Sequence, residues 1–432
     1  MVVCIDGSAP GYIEAAIEAG VAPYFADILA SCTHTTVDCV MPSFTNPNNM
    51  SIVTGVPPRV HGICGNYFLD PQTGNAIMMN DPKLLRAPTI FKALQDAITP
   101  STPSPLHALS SATSDPQSSI TTDTEVPSDA SSHVKMAIIT AKEKLRLLLG
   151  HQLDVGLGHH VVCFSAETAS LVSVKENGID SALGLARLPQ PHVYSADLSE
   201  FVMAAGLRLL ERERPLLTYL STTDYVQHKH APGSGAANAF YAMLDRYLGR
   251  MHKLGVIIVL TADHGMSDKH LATTGRPDVL YLQDLIDSWC GTDTARVILP
   301  ITDPYVAHHG ALGSYAAIYF RRPFEDQDAL LRRLRGIEGI QQALKREEAC
   351  ALYDLPLDRT GDIVVIGSQT KVLGTRVSEH DLSQLHVPLR SHGGLSERCV
   401  PLITNRVWRL PEAGGRALRN FDAFDVALNM CA

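Results

Sequence analysis

A membrane span needs roughly 18–20 uninterrupted apolar residues, and no stretch of this 432-residue sequence comes near it. Positive charge is also in short supply: 36 Lys and Arg face 45 Asp and Glu, a formal net charge of −9. Nucleic acid and anionic membrane both require a basic footprint, so neither is expected as a partner. A small anionic substrate stays open, because bound cations can invert the local field whatever the global charge. No two cysteines have CxxC spacing, and the nine present (Cys4, Cys32, Cys39, Cys64, Cys163, Cys290, Cys350, Cys399, Cys431) are scattered and odd in number. They read as small buried hydrophobes in a reducing compartment, not as a disulfide framework or thiolate metal site, and the cytoplasm is the expected location. No signal peptide and no internal repeat is visible. The chain opens Met-Val-Val-Cys-Ile-Asp, a first strand that starts almost at once, which leaves room for residues upstream of Met1.

What is present fits a globular α/β protein. Hydrophobic residues make up 45% and charged residues 19%, and the length allows one large or two to three ordinary domains. Apolar, β-branched runs end at polar or acidic residues: 2–5 leads into Asp6, 216–220 toward Asp224, and 256–261 into Asp263. Residues 136–140, 363–366 and 400–404 are further strand candidates. Between them lie helical periods, clearest where Phe240, Met243, Leu244, Tyr247, Leu248, Met251 and Leu254 form one stripe that Gly255 ends. Such alternation predicts a mostly parallel sheet flanked by helices, with ligands bound beyond the carboxyl ends of the strands. From about 99 to 132 the chain is rich in Ser, Thr and Pro and reads as a flexible surface insertion. Residues 300–345 are a candidate small cap.

The strongest local signal is Thr261-Ala262-Asp263-His264-Gly265-Met266. A buried strand here delivers a carboxylate and an imidazole to one point, and the glycine permits a tight turn. Asp224 and His228 stand four apart, which puts them on one face of a helical turn with about 5–6 Å between Cβ atoms. His392 precedes Gly393-Gly394, and Asp6 follows the first strand. Carboxylates and imidazoles without thiolate suit zinc, with manganese and iron as alternatives. Each residue alone has a plainer explanation: a strand-end Asp as a turn or cap, an Asp-His pair as a solvated loop, D-x-x-x-H spacing as chance. His61, His159, His160, His230, His308 and His309 read as surface or satisfied histidines, with His230 close enough to the candidate site to support it. The metal reading rests on all four elements occurring together in one order.

With Thr45 in Pro42-Ser43-Phe44-Thr45-Asn46-Pro47-Asn48-Asn49 added, the series Asp6, Thr45, Asp224/His228, Asp263/His264, His392 resembles the metal-and-nucleophile series of the alkaline phosphatase superfamily. Within it, the Thr-Asn-Pro-Asn-Asn run, Ser51-Ile52-Val53-Thr54-Gly55, His61-Gly62-Ile63-Cys64-Gly65-Asn66 and Thr140-Ala141-Lys142-Glu143-Lys144-Leu145 resemble the phosphonoacetate hydrolase family. The resemblance covers nearly the whole chain except the Ser/Thr/Pro insertion. The metal ligands mark only the superfamily; the two lysines and the Thr45 context narrow it.

The resemblance implies an alkaline phosphatase-like α/β core over 1–299 and 346–432, with a smaller cap insertion, and two Zn2+ per chain. One zinc would be held by Asp224, His228 and His392, the other by Asp6, Asp263, His264 and the Thr45 oxygen. Thr45 would be the nucleophile, because coordination lowers a hydroxyl pKa toward an alkoxide. Its place before Asn46-Pro47 suits a strand-to-helix turn with amides facing an anion, an ordinary helix cap being the alternative. Asn66, Lys142 and Lys144 would bind substrate. The lysines, at alternate positions, would point to one side of an extended segment; a solvated helix start is the alternative. The implied reaction cleaves the carbon–phosphorus bond of phosphonoacetate to acetate and phosphate through a phosphothreonine. A homodimer is compatible with this. Two rivals stay open: a nucleotide pyrophosphatase/phosphodiesterase of the same superfamily, for which no nucleobase slot was located, and a non-catalytic phosphonate-binding relative.

Overall fold

Seven short strands form the central sheet, in the order His34–Asp38, Cys399–Thr404, Val259–Thr261, Val2–Cys4, Leu217–Ser221, Met136–Thr140, Val161–Ser165. In the computed structural model residues 1–98, 135–156, 160–301, 312–383, 385, 387–409 and 416–431 are described. The expected insertion at 99–132, part of the expected cap (302–311) and His159, His308 and His309 lie outside the described residues.

Five neighbouring strands, from Val259–Thr261 to Val161–Ser165, run parallel. Cys399–Thr404 lies antiparallel to Val259–Thr261, and His34–Asp38 antiparallel to Cys399–Thr404. Both faces of the sheet are covered, which is why its strands read as continuous apolar runs and not as alternation. Successive side chains still point to opposite faces. Val2, Cys4, Met136 and Ile138 enter one hydrophobic cluster, while Val3, Ile5, Ala137 and Ile139 enter the other. Helices Pro10–Glu18, Asp197–Arg212 and Gly235–Lys253 cover the second face. In Gly235–Lys253 the expected stripe is present: Phe240, Met243, Leu244, Leu248 and Met251 are buried, and the Ser234 hydroxyl caps the start by accepting the Ala237 N–H. Helices Thr45–Thr54 and Glu143–Leu149 cover the first face.

A second sheet, antiparallel and four-stranded, has the order Ala295–Ile298, Tyr315–Phe320, Ile363–Gly367, Ile340–Lys345. Residues 363–366 therefore do form a strand, but in this sheet and not the central one. Val297, Ile318 and Val364 belong to the same hydrophobic cluster as Val2 and Met136, so the two sheets share a core. Among the described residues no helix is long and apolar enough to cross a membrane.

Register places the site. Cys4 pairs with Thr261 on one side and Ser221 on the other, and Ser221 pairs with Thr140. Four parallel strands thus end level. Asp6 lies two residues beyond its strand, Asp263 two beyond, Lys142 two beyond and Asp224 three beyond.

Candidate active site

Beyond those strand ends, two further segments close in. His34–Asp38 runs the same way as the parallel strands, so the chain leaving it arrives at this edge and starts helix Thr45–Thr54, with Thr45 its first residue. Cys399–Thr404 runs the opposite way, so the loop that precedes it also lies here. A two-residue ladder, Ser391 with Ser267 and Arg390 with Asp268, fixes that loop against the chain after His264. Asp224 caps the short helix Tyr225–Lys229, and its turn brings His228 back over the carboxylate.

The six candidate ligands converge. Asp6, Asp263 and His264 each offer a ligand atom within 4.8 Å of the others, and so do Asp224, His264 and His392. His228 Nε2 lies 2.9 Å from Asp224 Oδ2, and His392 Nε2 3.8 Å from the same oxygen. His264 and His392 stack at 3.6 Å between ring centroids with 5° between planes. All three imidazoles are oriented alike. Nδ1 of His228 meets the Arg390 carbonyl at 2.8 Å, that of His264 the Gly265 carbonyl at 2.9 Å, and that of His392 the Ser43 carbonyl at 2.8 Å. A carbonyl only accepts, so each Nδ1 carries a proton, and Nε2 is the ring atom that faces the centre, as in metal-bound histidines.

Two glycines next to candidate ligands are required by space. A Cβ on Gly7 would stand 2.9 Å from Asp224 Cβ, and one on Gly393 would stand 2.4 Å from the Phe44 ring. Both have positive φ, +70° and +108°, which side chains other than glycine rarely adopt.

Electrostatics point to a cation. Burial, then the Asp224 and Asp263 carboxylates, push the Asp6 pKa well above the usual carboxylate range. Its Oδ1 is buried without a hydrogen-bond partner, with His264 Nε2 3.3 Å away. Burial would raise Asp224 as well, but the imidazoles of His228, His392 and His264 outweigh it and hold Asp224 well below its ordinary value. Burial and the neighbouring His264 and His228 push His392 far down. The 2.9 Å between His228 Nε2 and Asp224 Oδ2 calls for a proton or a cation between the two atoms. A divalent cation would oppose the upward push on Asp6, and would keep Asp224 ionised and His392 unprotonated, the directions already imposed on them. The donor set, three imidazoles and three carboxylates with no thiolate, therefore fits zinc.

Thr45 Oγ1 is 3.4 Å from His264 Nε2, and Thr45 is half-buried between the buried Phe44 and Pro47. Behind it, Asn49 ties helix to site: its Nδ2 donates to Asp263 Oδ2 at 3.1 Å and to the Thr45 carbonyl at 3.0 Å. Its Oδ1 accepts from the Tyr219 hydroxyl at 2.7 Å. Asn49 lies four residues after Thr45 on one helix face, and that spacing is its only signal in the sequence. Arg390 carried none. It is buried, donates Nε to the Gln227 carbonyl at 3.0 Å, pairs with Asp268 and gives its own carbonyl to His228.

The substrate candidates are placed less uniformly. Lys142 is the extended cap and Lys144 the second residue of helix Glu143–Leu149, so the segment is a helix start and the extended alternative does not hold. Lys142 Nζ donates to the Val193 carbonyl at 2.7 Å and lies 5.5 Å from the Tyr194 ring centre. It is near enough to Asp6 to oppose the rise in that carboxyl's pKa. Asn66 Nδ2 donates to the Ile301 carbonyl at 3.3 Å, and its Oδ1 is buried without a partner. Its carbonyl accepts from Met79, whose own carbonyl accepts from Asn46 beside Thr45. His61 is a satisfied core histidine: Nε2 bonds the Ser51 hydroxyl at 2.8 Å, and Nδ1 accepts the Ile63 N–H at 3.1 Å. His230 is half-buried, with its carbonyl taken by the Tyr12 hydroxyl at 2.9 Å.

Fold and site together define a member of the type I phosphodiesterase / nucleotide pyrophosphatase family, whose model matches residues 1–394. The chain belongs to that family and has the alkaline phosphatase-like α/β fold. It is similar to phosphonoacetate hydrolase from Sinorhizobium meliloti 1021, solved with phosphonoformate and with phosphonoacetate: 50% identity, a TM-score of 0.87, and coverage of 100% of this chain and 95% of that one. Murine ectonucleotide pyrophosphatase / phosphodiesterase 5 is similar in fold alone, at 17% identity and a TM-score of 0.60, over 98% of this chain and 92% of that one. An uncharacterised pyrophosphatase/phosphodiesterase of Schizosaccharomyces pombe is 46% identical over 48 residues, 11% of this chain, and the match spans only 10% of that protein's length.

Proposed function

We propose that the protein hydrolyses the carbon–phosphorus bond of phosphonoacetate, giving acetate and phosphate, with two zinc ions and Thr45 as nucleophile. The observation that supports this most is the whole-length similarity, at 50% identity, to a phosphonoacetate hydrolase solved with that compound. The convergence of Thr45 with the six carboxylate and imidazole side chains beyond the strand ends is in keeping with it. When bound, the cations supply charge neutralisation of the phosphoryl oxygens and a lowered pKa for hydroxyl and water. Asp224, His228 and His392 would hold one, and Asp6, Asp263 and His264 the other, next to Thr45.

Thr45 Oγ1 attacks phosphorus in line, the P–C bond breaks, and its electron pair moves toward the adjacent carboxylate as an enediolate-like species. Protonation at carbon gives acetate. Water then attacks the phosphothreonine at phosphorus, freeing phosphate and restoring the hydroxyl. Lys142 and Lys144 supply cationic partners for the anionic ends of the substrate, and Asn66 an amide for a phosphoryl oxygen. The substrate is thus a small phosphonate. All nine cysteines are unpaired, which is in keeping with a cytoplasmic enzyme.

The test is turnover of phosphonoacetate beside a nitrophenyl nucleotide ester. Equal release of acetate and phosphate, abolished by a chelator and far faster than ester hydrolysis, is expected. A marked preference for the nucleotide ester would favour the phosphodiesterase activity, and no turnover of either a non-catalytic relative.

A further inference from the structure

Lys269 and Glu397 form an ion pair in which both side chains are 0% exposed, Nζ lying 2.9 Å from Oε1. A pair buried this deeply adds little stability over apolar side chains of equal volume. Its connections are more telling. Glu397 Oε2 accepts the Gly394 N–H at 2.9 Å, two residues past His392. The Glu397 backbone carbonyl accepts the Gly265 N–H at 2.7 Å, one residue past His264. Lys269 Nζ also donates to the Gln369 carbonyl at 2.7 Å, and its backbone N–H to the Leu389 carbonyl at 2.8 Å, three residues before His392. Through this one buried frame, the chain that bears His264 is bonded on both sides of the chain that bears His392. Between them stand the two stacked imidazoles, 3.6 Å apart.

We propose that Lys269 and Glu397 are positioning residues that fix the separation of the His264 and His392 rings, and with it the spacing at which the site holds two cations. This rests on the metal-centre reading given above. Neither residue needs to touch substrate; the Glu397 side chain acts through Gly394, and Lys269 holds that side chain in place. Support of this kind behind metal ligands is commonly worth about 10–100-fold in metal affinity.

The test is zinc affinity, measured by competition with a chromophoric chelator, together with the melting temperature of the chelator-stripped protein. Lys269→Met combined with Glu397→Leu removes the side-chain bonds of the frame, to Gly394, to Gln369 and between the pair, without leaving a buried charge unpaired, while the backbone bonds of Gly265 and Lys269 remain. A melting temperature close to wild type with zinc affinity down about 10–100-fold is expected. Wild-type affinity in the folded variant overturns the proposal, and so does a lowered melting temperature with affinity intact. Should the double variant not fold, Glu397→Gln keeps shape and an acceptor for Gly394; a lesser loss of affinity supports the role, and none overturns it. The wild-type titration separates the two levels. If wild type takes up no zinc, the metal centre itself fails; if wild type and variant bind zinc alike, only the positioning role does.

Discussion

At the scale of single residues, the proposed chemistry converges on one hydroxyl oxygen. Thr45 opens its helix with Oγ1 3.4 Å from His264 Nε2, and Asn49 holds Asp263 and the Thr45 carbonyl from the next turn. Thr45→Ala is therefore expected to lower kcat on the order of 10⁴-fold or more, the scale seen when a nucleophile is removed. Zinc content at the Asp224, His228 and His392 position should survive, which metal analysis of the variant checks. Near-full turnover would remove Thr45 from the reaction. The lysines answer a different question. Lys142→Ala with Lys144→Ala should weaken phosphonoacetate hydrolysis much more than hydrolysis of an aryl phosphate ester, because only the former carries a carboxylate. Equal losses on both substrates, in side-by-side kcat/KM measurements, would leave carboxylate recognition unsupported.

At the scale of elements, helix Thr45–Thr54 must be held at a fixed angle if its first residue is to stay on target. Buried His61 contributes to this by bonding Ser51 in that helix. Burial lowers the His61 pKa from 6.5 to about 3. The folded chain therefore keeps His61 neutral where the unfolded chain takes up a proton. Its share of stability is intact above pH 6.5 and is lost as pH falls toward 3, at about 1.4 kcal/mol per unit. His61→Gln should flatten the acid limb by that slope between pH 6.5 and 5 in denaturant unfolding of the chelated protein; identical limbs would show that His61 is not held neutral. Element by element, the sequence was unevenly readable. Strands buried on both faces, such as Met136–Thr140, are uninterrupted apolar runs and stood out. His34–Asp38, which delivers Thr45, is an edge strand with a single buried residue and no apolar pattern. The Ser267–Asp268 and Arg390–Ser391 ladder is two residues long, too short for any periodicity.

Over the whole molecule, the geometry of the candidate site follows from topology: parallel strands ending level put Asp6, Asp224, Asp263 and Lys142 at one edge. The antiparallel Cys399–Thr404 strand brings the His392 loop to that same edge. The convergence of the candidate ligands was legible because acids and histidines beyond strand ends, followed by glycine, leave a local imprint. The supports were not, since Lys269 and Glu397, or His228 and Arg390, meet only in the folded chain, 128 and 162 residues apart. Nor did local pattern reveal the second sheet, which takes in Ala295–Ile298 and Ile363–Gly367 on either side of 300–345 and shares the main core. The central claim, that this edge is a two-cation centre, is tested most directly by anomalous diffraction at the zinc absorption edge from crystals of the zinc-loaded protein. Two peaks about 4 Å apart are predicted, one among Asp224, His228 and His392 and one among Asp6, Asp263, His264 and Thr45. Peaks elsewhere on the molecule, with none between these side chains, would contradict it.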